Sequence, residues 1–268
     1  MYEQVTLDTH SLQCWRKGEG EPLLFLHGYS YPPHLYPETL DRLSESFEVI
    51  APRMFGMNEF APQPTNPEEY TDITCEFMEK LDRKNYHVVG HSMGACVATL
   101  SAARRNDITD VIGLSSLHPN THSVAQFIKG YMKIMKNDRN GGVAYPEMSK
   151  EEVREHMREA MPQVFRNIFK KPFKSIELTH HLGRFSYPDR SFHVYQPTWY
   201  LDAEKDEFFP PTKTHPDARH FSYMRRSVIA NRTHMWPVYE PEHVHRIVES
   251  FHKEIKGLSL QQEYRQER

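Results

Sequence analysis

Short apolar runs alternate with amphipathic segments along most of the chain. The first clear run, Pro22 to Leu26, is apolar at every position and ends at a His-Gly pair. Such a run is typical of a strand that is buried on both faces of a parallel sheet. Similar runs follow at residues 47–52, 86–90 and 110–114, and the pattern returns at 197–201 and 227–230. We therefore predict a mostly parallel sheet flanked by helices, the α/β class.

Two helices are predicted from the spacing of apolar residues. Ile73, Phe77 and Leu81 recur at four-residue steps, and the pair Thr71-Asp72 is expected to cap the N-terminus of that helix. After Pro241, apolar residues recur at three- and four-residue steps as far as residue 258. This second pattern predicts a C-terminal helix that packs on the sheet.

The alternation stops between residues 118 and 196. Helix-like segments occur there at 125–135, 151–161 and 164–169. A stretch of this length is too long to be a plain loop. We therefore predict an α/β core formed by residues 1–117 and 197–268, with residues 118–196 inserted as a helical cap, or lid.

Composition and charge narrow the classes of partner. Apolar residues make up 38% and charged residues 26% of the chain, and the formal net charge is -3. So small a charge gives no strong field that would recruit nucleic acid or anionic lipid. The N-terminus lacks a signal-peptide pattern, and no apolar run approaches the roughly twenty residues that span a bilayer. We expect a cytoplasmic protein that binds a small-molecule substrate and neither nucleic acid nor membrane; the oligomeric state stays open.

The cysteines and histidines give no metal or disulfide pattern. Three cysteines, Cys14, Cys75 and Cys96, are odd in number and far apart, which argues against a disulfide framework and a zinc knuckle. Seventeen histidines are present, but His243 and His245 are two residues apart on a predicted helix and so point to different faces. No metal site and no cofactor are predicted.

The strongest chemical signal is a G-x-S-x-G motif at residues 90–94. It follows an apolar strand directly and precedes a segment of small residues that predicts a helix. This is the context of a nucleophile elbow, a tight strand-to-helix turn that exposes a serine. The N-terminus of the following helix places partial positive charge beside Ser92, which favours an oxyanion there. We predict that Ser92 is a nucleophile.

A serine nucleophile requires a histidine base and a carboxylate that orients the histidine. Asp206, just after a predicted strand, is the first choice for the acid. Asp202, Glu204 and Glu207 are nearby competitors, and Asp202 is the second choice. His234 lies between the last predicted strand and the C-terminal helix, where a loop can return towards Ser92; His220 is the second choice for the base. The expected chain order is nucleophile, acid, histidine.

The reaction also needs two backbone amides that bind the oxyanion. One is the amide after the nucleophile, Met93, and the other comes from the loop after an earlier strand, where Tyr29 follows Gly28. A substrate pocket requires apolar side chains close to the serine. The candidate pocket residues are His91, Phe208, Phe209 and Trp236.

These segments together resemble the α/β-hydrolase superfamily, and within it the capped esterases and lactonases that carry a His-Gly motif. The resemblance spans nearly the whole chain and implies an eight-stranded, mostly parallel sheet, an inserted lid and no cofactor. Serine at position 92 differs from the dehalogenase and epoxide-hydrolase branches, which use aspartate there. The sequence departs from its relatives at residues 52–58, which lack the usual aspartate and second glycine, and at Thr233, where a glycine usually precedes the histidine.

Three functional hypotheses follow. The first is a serine hydrolase that cleaves a small or medium carboxylic ester, lactone or thioester through an acyl-enzyme intermediate. The second is a lyase, a carbon-carbon hydrolase or a cofactor-free oxygenase on the same scaffold, with the histidine as its main base. The third is a ligand receptor that retains the triad. Fold alone does not decide among them.

Overall fold

An eight-stranded sheet forms the centre of the part of the chain that the structure describes. The structure is a computed structural model that describes residues 2–54, 64–118, 124–139, 144–187, 191–212 and 217–266. The strands are β1 (Tyr2–Thr6), β2 (Ser11–Lys17), β3 (Pro22–Leu26), β4 (Glu48–Pro52), β5 (Tyr86–His91), β6 (Ile108–Leu114), β7 (Thr198–Ala203) and β8 (Met224–Ile229). Their spatial order is β1-β2-β4-β3-β5-β6-β7-β8.

Strand direction confirms the predicted fold class. β1 pairs antiparallel with β2, and β2 pairs antiparallel with β4, whereas the remaining neighbours pair in parallel. Every residue of β3 and of β5 is buried, which explains the continuous apolar run in β3. The two antiparallel strands at the edge of the sheet were not predicted.

Eight α-helices lie in the described residues. They are α1 (Pro37–Leu43), α2 (Pro67–Lys80), α3 (Met93–Arg104), α4 (Val124–Arg139), α5 (Lys150–Lys170), α6 (Pro172–Arg184), α7 (Trp236–Tyr239) and α8 (Pro241–Gln266). α2 packs against α3, and α1 packs against α8. The predicted C-terminal helix after Pro241 is present as α8.

Two helix predictions need correction. α2 begins at Pro67, one turn before the predicted cap at Thr71-Asp72, because the Asn66 side chain accepts a hydrogen bond from the Glu69 amide at 2.8 Å and proline suits the first helical position. The segments 151–161 and 164–169 form one helix, α5, which continues through Pro162. α6 was not predicted.

Helices α4, α5 and α6 follow β6 in the chain and pack against one another. Side chains of α5 reach the segment after β3: the His34 ring donates to the Gln163 amide oxygen at 2.6 Å, and the Asn167 amide donates to the Ser30 carbonyl at 3.4 Å. The His181 ring of α6 donates to the Thr65 carbonyl at 2.9 Å. Helices α5 and α6 therefore contact the loops at the carboxyl ends of the parallel strands. The role of the three helices as a lid stays a prediction.

Candidate active site

Ser92 occupies a strained turn between β5 and α3. Its backbone angles φ and ψ are 58° and −120°, a combination that residues other than glycine rarely adopt. The turn is tight, because a Cβ atom at Gly90 would lie 2.5 Å from the Ala95 Cα, and one at Gly94 would lie 2.1 Å from the Leu26 carbonyl oxygen. The Ser92 amide donates to the Leu114 carbonyl at 2.9 Å. The strand, turn and helix therefore have the arrangement expected of a nucleophile elbow.

Asp206 and His234 form a buried hydrogen-bonded pair. Asp206 Oδ2 lies 2.8 Å from His234 Nδ1, and both side chains are almost fully buried. The other carboxylate oxygen, Oδ1, accepts from the Phe208 and Phe209 amides at 2.8 Å and 2.7 Å. Because an ionised carboxylate only accepts, Nδ1 of His234 carries the proton in this hydrogen bond. That leaves Nε2 as the basic nitrogen of the neutral ring.

The competing acids have other partners. Glu207 Oε2 accepts from the His234 amide at 3.1 Å, and Glu204 Oε2 accepts from the Asn231 amide at 2.7 Å. Both carboxylates thus hold the backbone of the loop that carries His234. Asp202 is buried and forms an ion pair with Arg226 at 2.6 Å.

The electrostatic environment of Asp202 fits a structural ion pair. Burial alone would raise the pKa of this carboxyl, but hydrogen bonding and charge from His118 and Arg226 outweigh burial and lower the pKa overall. His118 Nε2 lies 3.5 Å from Asp202 Oδ1. The second choice for the base, His220, donates from Nδ1 to the Phe192 carbonyl at 2.9 Å. Neither of these second choices contacts the Asp206–His234 pair in the described residues.

Ser92 and His234 line the same small cavity, of about 40 Å³. The predicted pocket residues His91 and Phe208 also line it, and the Phe208 ring packs edge-on against the His234 ring with centroids 4.7 Å apart. Phe209 packs on His234 at 5.2 Å, and Trp236 is fully buried beside His243; neither is among the described residues that line the cavity. Further apolar walls come from the helices after β6: Tyr131, Ile134, Met157, Met161 and Val164.

His91 links three parts of the site. Its Nε2 lies 3.0 Å from the His234 carbonyl oxygen, to which it must donate, so Nδ1 of the neutral ring accepts from the Tyr36 hydroxyl at 2.7 Å. The Tyr36 hydroxyl in turn accepts from the Gly28 amide at 3.2 Å. Burial lowers the pKa of His91 well below its usual range and raises the pKa of Tyr36. A chain of hydrogen bonds therefore connects the loop after β3 to the loop that holds His234.

The Gly28-Tyr29 segment lies directly against Ser92. A Cβ atom at Gly28 would lie 3.4 Å from the Ser92 Cβ. The Gly28 carbonyl accepts from His27 Nδ1 at 2.7 Å and from the Tyr31 amide at 3.1 Å. His27 Nε2 accepts from the Met54 amide at 3.0 Å, and burial lowers the pKa of His27 to about 3. A neutral, buried histidine thus fixes the loop that carries one of the two predicted oxyanion donors.

Comparisons with known proteins place the chain in a family. A model described as the alpha/beta hydrolase family matches residues 23–248. The chain belongs to this family. The solved structure of a thermophilic esterase from Thermogutta terrifontis has 20% sequence identity to this alpha/beta hydrolase and a TM-score of 0.67, covering 95% of this chain and 99% of the esterase chain. At this identity the likeness establishes the fold.

Two curated relatives match parts of this alpha/beta hydrolase. A soluble epoxide hydrolase from Corynebacterium sp. is 25% identical over 120 residues, which are 44% of this chain and 42% of the relative. A dihydrolipoyllysine-residue acetyltransferase component of an acetoin cleaving system from Cupriavidus necator is 31% identical over 100 residues, which are 36% of this chain and 27% of the relative. The chain thus spans less than half the length of either relative.

Two contacts of this alpha/beta hydrolase were not foreseen from the sequence. Thr233, which stands where relatives usually have glycine, is fully buried and its hydroxyl is hydrogen-bonded to the Tyr145 hydroxyl. The contact ties the segment between α4 and α5 to the residue before His234. Tyr36 was also missed, because no motif marks a tyrosine whose role depends on a histidine far away in the chain. Residues 55–58 of the atypical segment 52–58 lie outside the described residues.

One histidine cluster could be taken for a metal site. Ligand-type atoms of Glu21, His87 and His252 lie within 4.8 Å of one another near the amino ends of β3 and β5, at the end of the sheet opposite Ser92. The Glu21 carboxylate already lies 2.6 Å from His252 Nε2 and 2.7 Å from the Lys256 ammonium. A cation would compete with both, so we assign the cluster to a hydrogen bond between Glu21 and His252 and an ion pair between Glu21 and Lys256. Within the described residues, none of the helices has the length and apolar character needed to cross a membrane.

Proposed function

We propose that this chain is a serine hydrolase that cleaves a carboxylic ester, lactone or thioester through an acyl-enzyme intermediate on Ser92. The observation that carries the proposal is the buried Asp206–His234 pair, whose histidine shares a cavity with Ser92 at a strained strand-to-helix turn. A hydroxyl, an oriented imidazole and a buried carboxylate form the constellation that acyl transfer requires.

In the first step the Ser92 hydroxyl oxygen attacks the substrate carbonyl carbon and His234 Nε2 takes the hydroxyl proton. Asp206 stabilises the imidazolium that results, because its carboxylate is held by three hydrogen bonds. The carbonyl oxygen becomes an oxyanion, which the amides of Tyr29 and Met93 stabilise in this proposal. His234 then returns the proton to the leaving alkoxide or thiolate, and the acyl group stays on Ser92.

In the second step a water molecule attacks the acyl-enzyme. His234 takes one proton from the water while the oxygen bonds to the acyl carbon, and then gives this proton to the Ser92 oxygen as it leaves. The products are a carboxylic acid and the free enzyme. The apolar walls of the cavity limit access of bulk water, which strengthens the electrostatic interactions at the reacting carbonyl.

The test is covalent labelling of the serine. We expect a fluorophosphonate to add its mass to the native protein and not to Ser92→Ala, and short p-nitrophenyl esters to be hydrolysed by the native protein only. Ser101→Ala is the matched control, because Ser101 is also a buried serine and lies on α3, the helix that begins directly after Ser92. Its labelling should equal that of the native protein.

Other results would support the competing hypotheses. Folded native protein that is not labelled and hydrolyses none of the esters would contradict the proposal and favour a receptor. Turnover of a carbon-carbon substrate that survives in Ser92→Ala but is lost in His234→Ala would favour chemistry in which the histidine is the main base.

A further inference from the structure

A second, much larger cavity adjoins the Ser92 cavity. It is an open groove of about 470 Å³ between helices α4, α5 and α6, a size typical of sites for small organic ligands. Its lining residues are Tyr29, Ile128, Tyr131, Met132, Phe165, Ile168, Phe169, Pro172, Ser175, Ile176 and Thr179. We refer to this cavity as the cap groove.

The surface of the cap groove is apolar, although a serine and a threonine are among its lining residues. No lining residue is charged. The two hydroxyl groups on α6 bond to backbone carbonyls: Ser175 Oγ donates to Ile168 at 3.0 Å, and Thr179 Oγ1 donates to Ser175 at 2.7 Å. A ligand in the groove therefore meets hydrocarbon and aromatic surfaces, which favour a hydrocarbon chain and disfavour a charged or hydroxylated group.

Several apolar side chains of the groove are exposed to water, which is unfavourable. A bound ligand would cover them. Ile128, Met132, Phe169 and Ile176 are each more than half exposed. Exposed apolar side chains are ordinary when scattered, but a contiguous set that lines one concave surface marks a binding site. Burial of this surface by an apolar ligand is favourable in proportion to the area covered.

The groove shares part of its wall with the cavity that contains Ser92. Tyr29 and Tyr131 line both. The Ser92 cavity itself, at about 40 Å³, has room for little more than the scissile group. Because the Tyr29 amide is the proposed oxyanion donor, the groove begins beside the proposed position of the substrate carbonyl.

We propose that the cap groove binds the aliphatic acyl chain of the substrate, so that the enzyme prefers medium- and long-chain acyl esters or thioesters over acetates. This inference rests on the proposed serine hydrolase function. Only the carbonyl group and the first acyl carbons occupy the Ser92 cavity. The rest of the chain lies between the three helices.

The first measurement is kcat/KM for p-nitrophenyl acetate, butyrate, hexanoate and octanoate, each below the concentration at which it forms micelles. Transfer of a methylene group from water to an apolar site gives about a fourfold gain. We expect kcat/KM to rise with chain length by up to this factor for each methylene. Activity that is flat or falls beyond acetate would overturn the proposal.

Two aspartate variants on α6 separate the groove from the rest of the surface. Ile176→Asp places a charge in the groove, and Phe173→Asp places the same charge on the same helix at an 84% exposed residue that does not line it. We expect Ile176→Asp to lower the octanoate-to-acetate ratio of kcat/KM at least tenfold and Phe173→Asp to leave the ratio unchanged. Ile128→Asp, on the opposite wall, should act like Ile176→Asp. Equal ratios in all three variants would overturn the proposal.

A binding measurement tests the groove proposal independently of the proposed serine hydrolase function. Titration calorimetry of Ser92→Ala with dodecanoate should show one site that Ile176→Asp weakens at least tenfold, whereas butyrate should not bind measurably. Hydrolysis of p-nitrophenyl acetate by native protein without dodecanoate binding to Ser92→Ala would overturn the groove proposal and leave the hydrolase proposal standing. Dodecanoate binding without any ester turnover would support the groove and contradict the hydrolase. A change of oligomeric state in Ile176→Asp, with chain-length preference unaltered, would make the groove a contact between copies and overturn the proposal.

Discussion

Replacement of the buried His91 by glutamine should make the protein less sensitive to acid. His91 is fully enclosed, and burial lowers its pKa well below the usual range. It is neutral in the folded state because one ring nitrogen donates to the His234 carbonyl while the other accepts from Tyr36. His27 is a second neutral histidine of this kind, with its pKa lowered by burial to about 3.

The sign and size of the effect follow from proton linkage. In the unfolded chain each histidine binds a proton below about pH 6.5, whereas the buried ring in the folded state does not. The free energy of unfolding therefore holds its full value above pH 6.5 and falls as the pH drops below it. At about pH 5 each buried neutral histidine costs about 2 kcal/mol of stability. The two together cost about 4 kcal/mol, which is a large part of the roughly 5–15 kcal/mol typical of a domain.

The assay is urea unfolding of native protein and His91→Gln at about pH 7.5 and pH 5.0. Glutamine retains an amide donor for the His234 carbonyl, so we expect a loss of about 1–3 kcal/mol at pH 7.5 from the imperfect replacement. The further loss between the two pH values should be about 2 kcal/mol smaller in His91→Gln than in native protein. His180→Gln, at an exposed histidine, is the control and should leave the pH dependence unaltered. The same pH dependence in His91→Gln and native protein would refute the reasoning.

Two further predictions concern the acid and the loop beside it. Asp206→Asn should lower kcat/KM for a p-nitrophenyl ester by about 10⁴ with little change in folding, because asparagine can favour the wrong histidine tautomer. Asp202→Asn should instead lower the free energy of unfolding by about 3–5 kcal/mol, because it removes the buried charge that pairs with Arg226, and should keep kcat/KM within about tenfold of native. The reverse pattern would assign the acid to Asp202. Tyr145→Phe should lower the free energy of unfolding by about 1–3 kcal/mol in urea, because it leaves the buried Thr233 hydroxyl without its partner, and an unchanged midpoint would contradict this.

The parts of the fold that the sequence predicted are those with a strong local signal. β3 is apolar at every position, and its burial on both faces is the reason. The turn at Ser92 has a clear motif because any side chain at residue 90 or 94 would clash with neighbouring backbone, so both positions require glycine. Signals of this kind depend on a few adjacent residues, so they can be recognised without knowledge of the tertiary structure.

The missed elements have weak local signals. β1 is largely exposed, and β2 alternates between half-buried and buried positions over its first five residues only. Patterns this short do not separate an edge strand from a loop. The start of α2 was placed one turn late, because Thr71 is itself a good cap residue and only the contact of Asn66 with the Glu69 amide distinguishes the two.

The contacts around the candidate site are of a third kind, since they join residues that are far apart in the chain. His91 lies next to Ser92 and was therefore predicted as a pocket residue, and it does line the cavity. Its hydrogen bonds to Tyr36 and to the His234 carbonyl require the end of β5 and two loops that are distant in sequence to meet at the carboxyl ends of the strands. Sequence spacing carries no information on such a meeting.

The four acidic residues within 202–207 differ in their hydrogen-bond and ion-pair partners, which the sequence does not reveal. Asp202 lies inside β7, where its side chain pairs with Arg226 of the adjacent strand, β8. Glu204 and Glu207 have longer side chains, and each reaches across to a backbone amide of the loop that carries His234.

Asp206 differs from these three because its own turn fixes its carboxylate. The Phe208 and Phe209 amides bind Oδ1, which leaves Oδ2 pointing at His234 Nδ1. A shorter side chain with one oxygen already held has little freedom to lose when it orients a histidine. The two glutamates hold the partner loop at the distance that this short side chain can span. The three carboxylates therefore position His234 together, and replacement of either glutamate should move His234 away from Asp206.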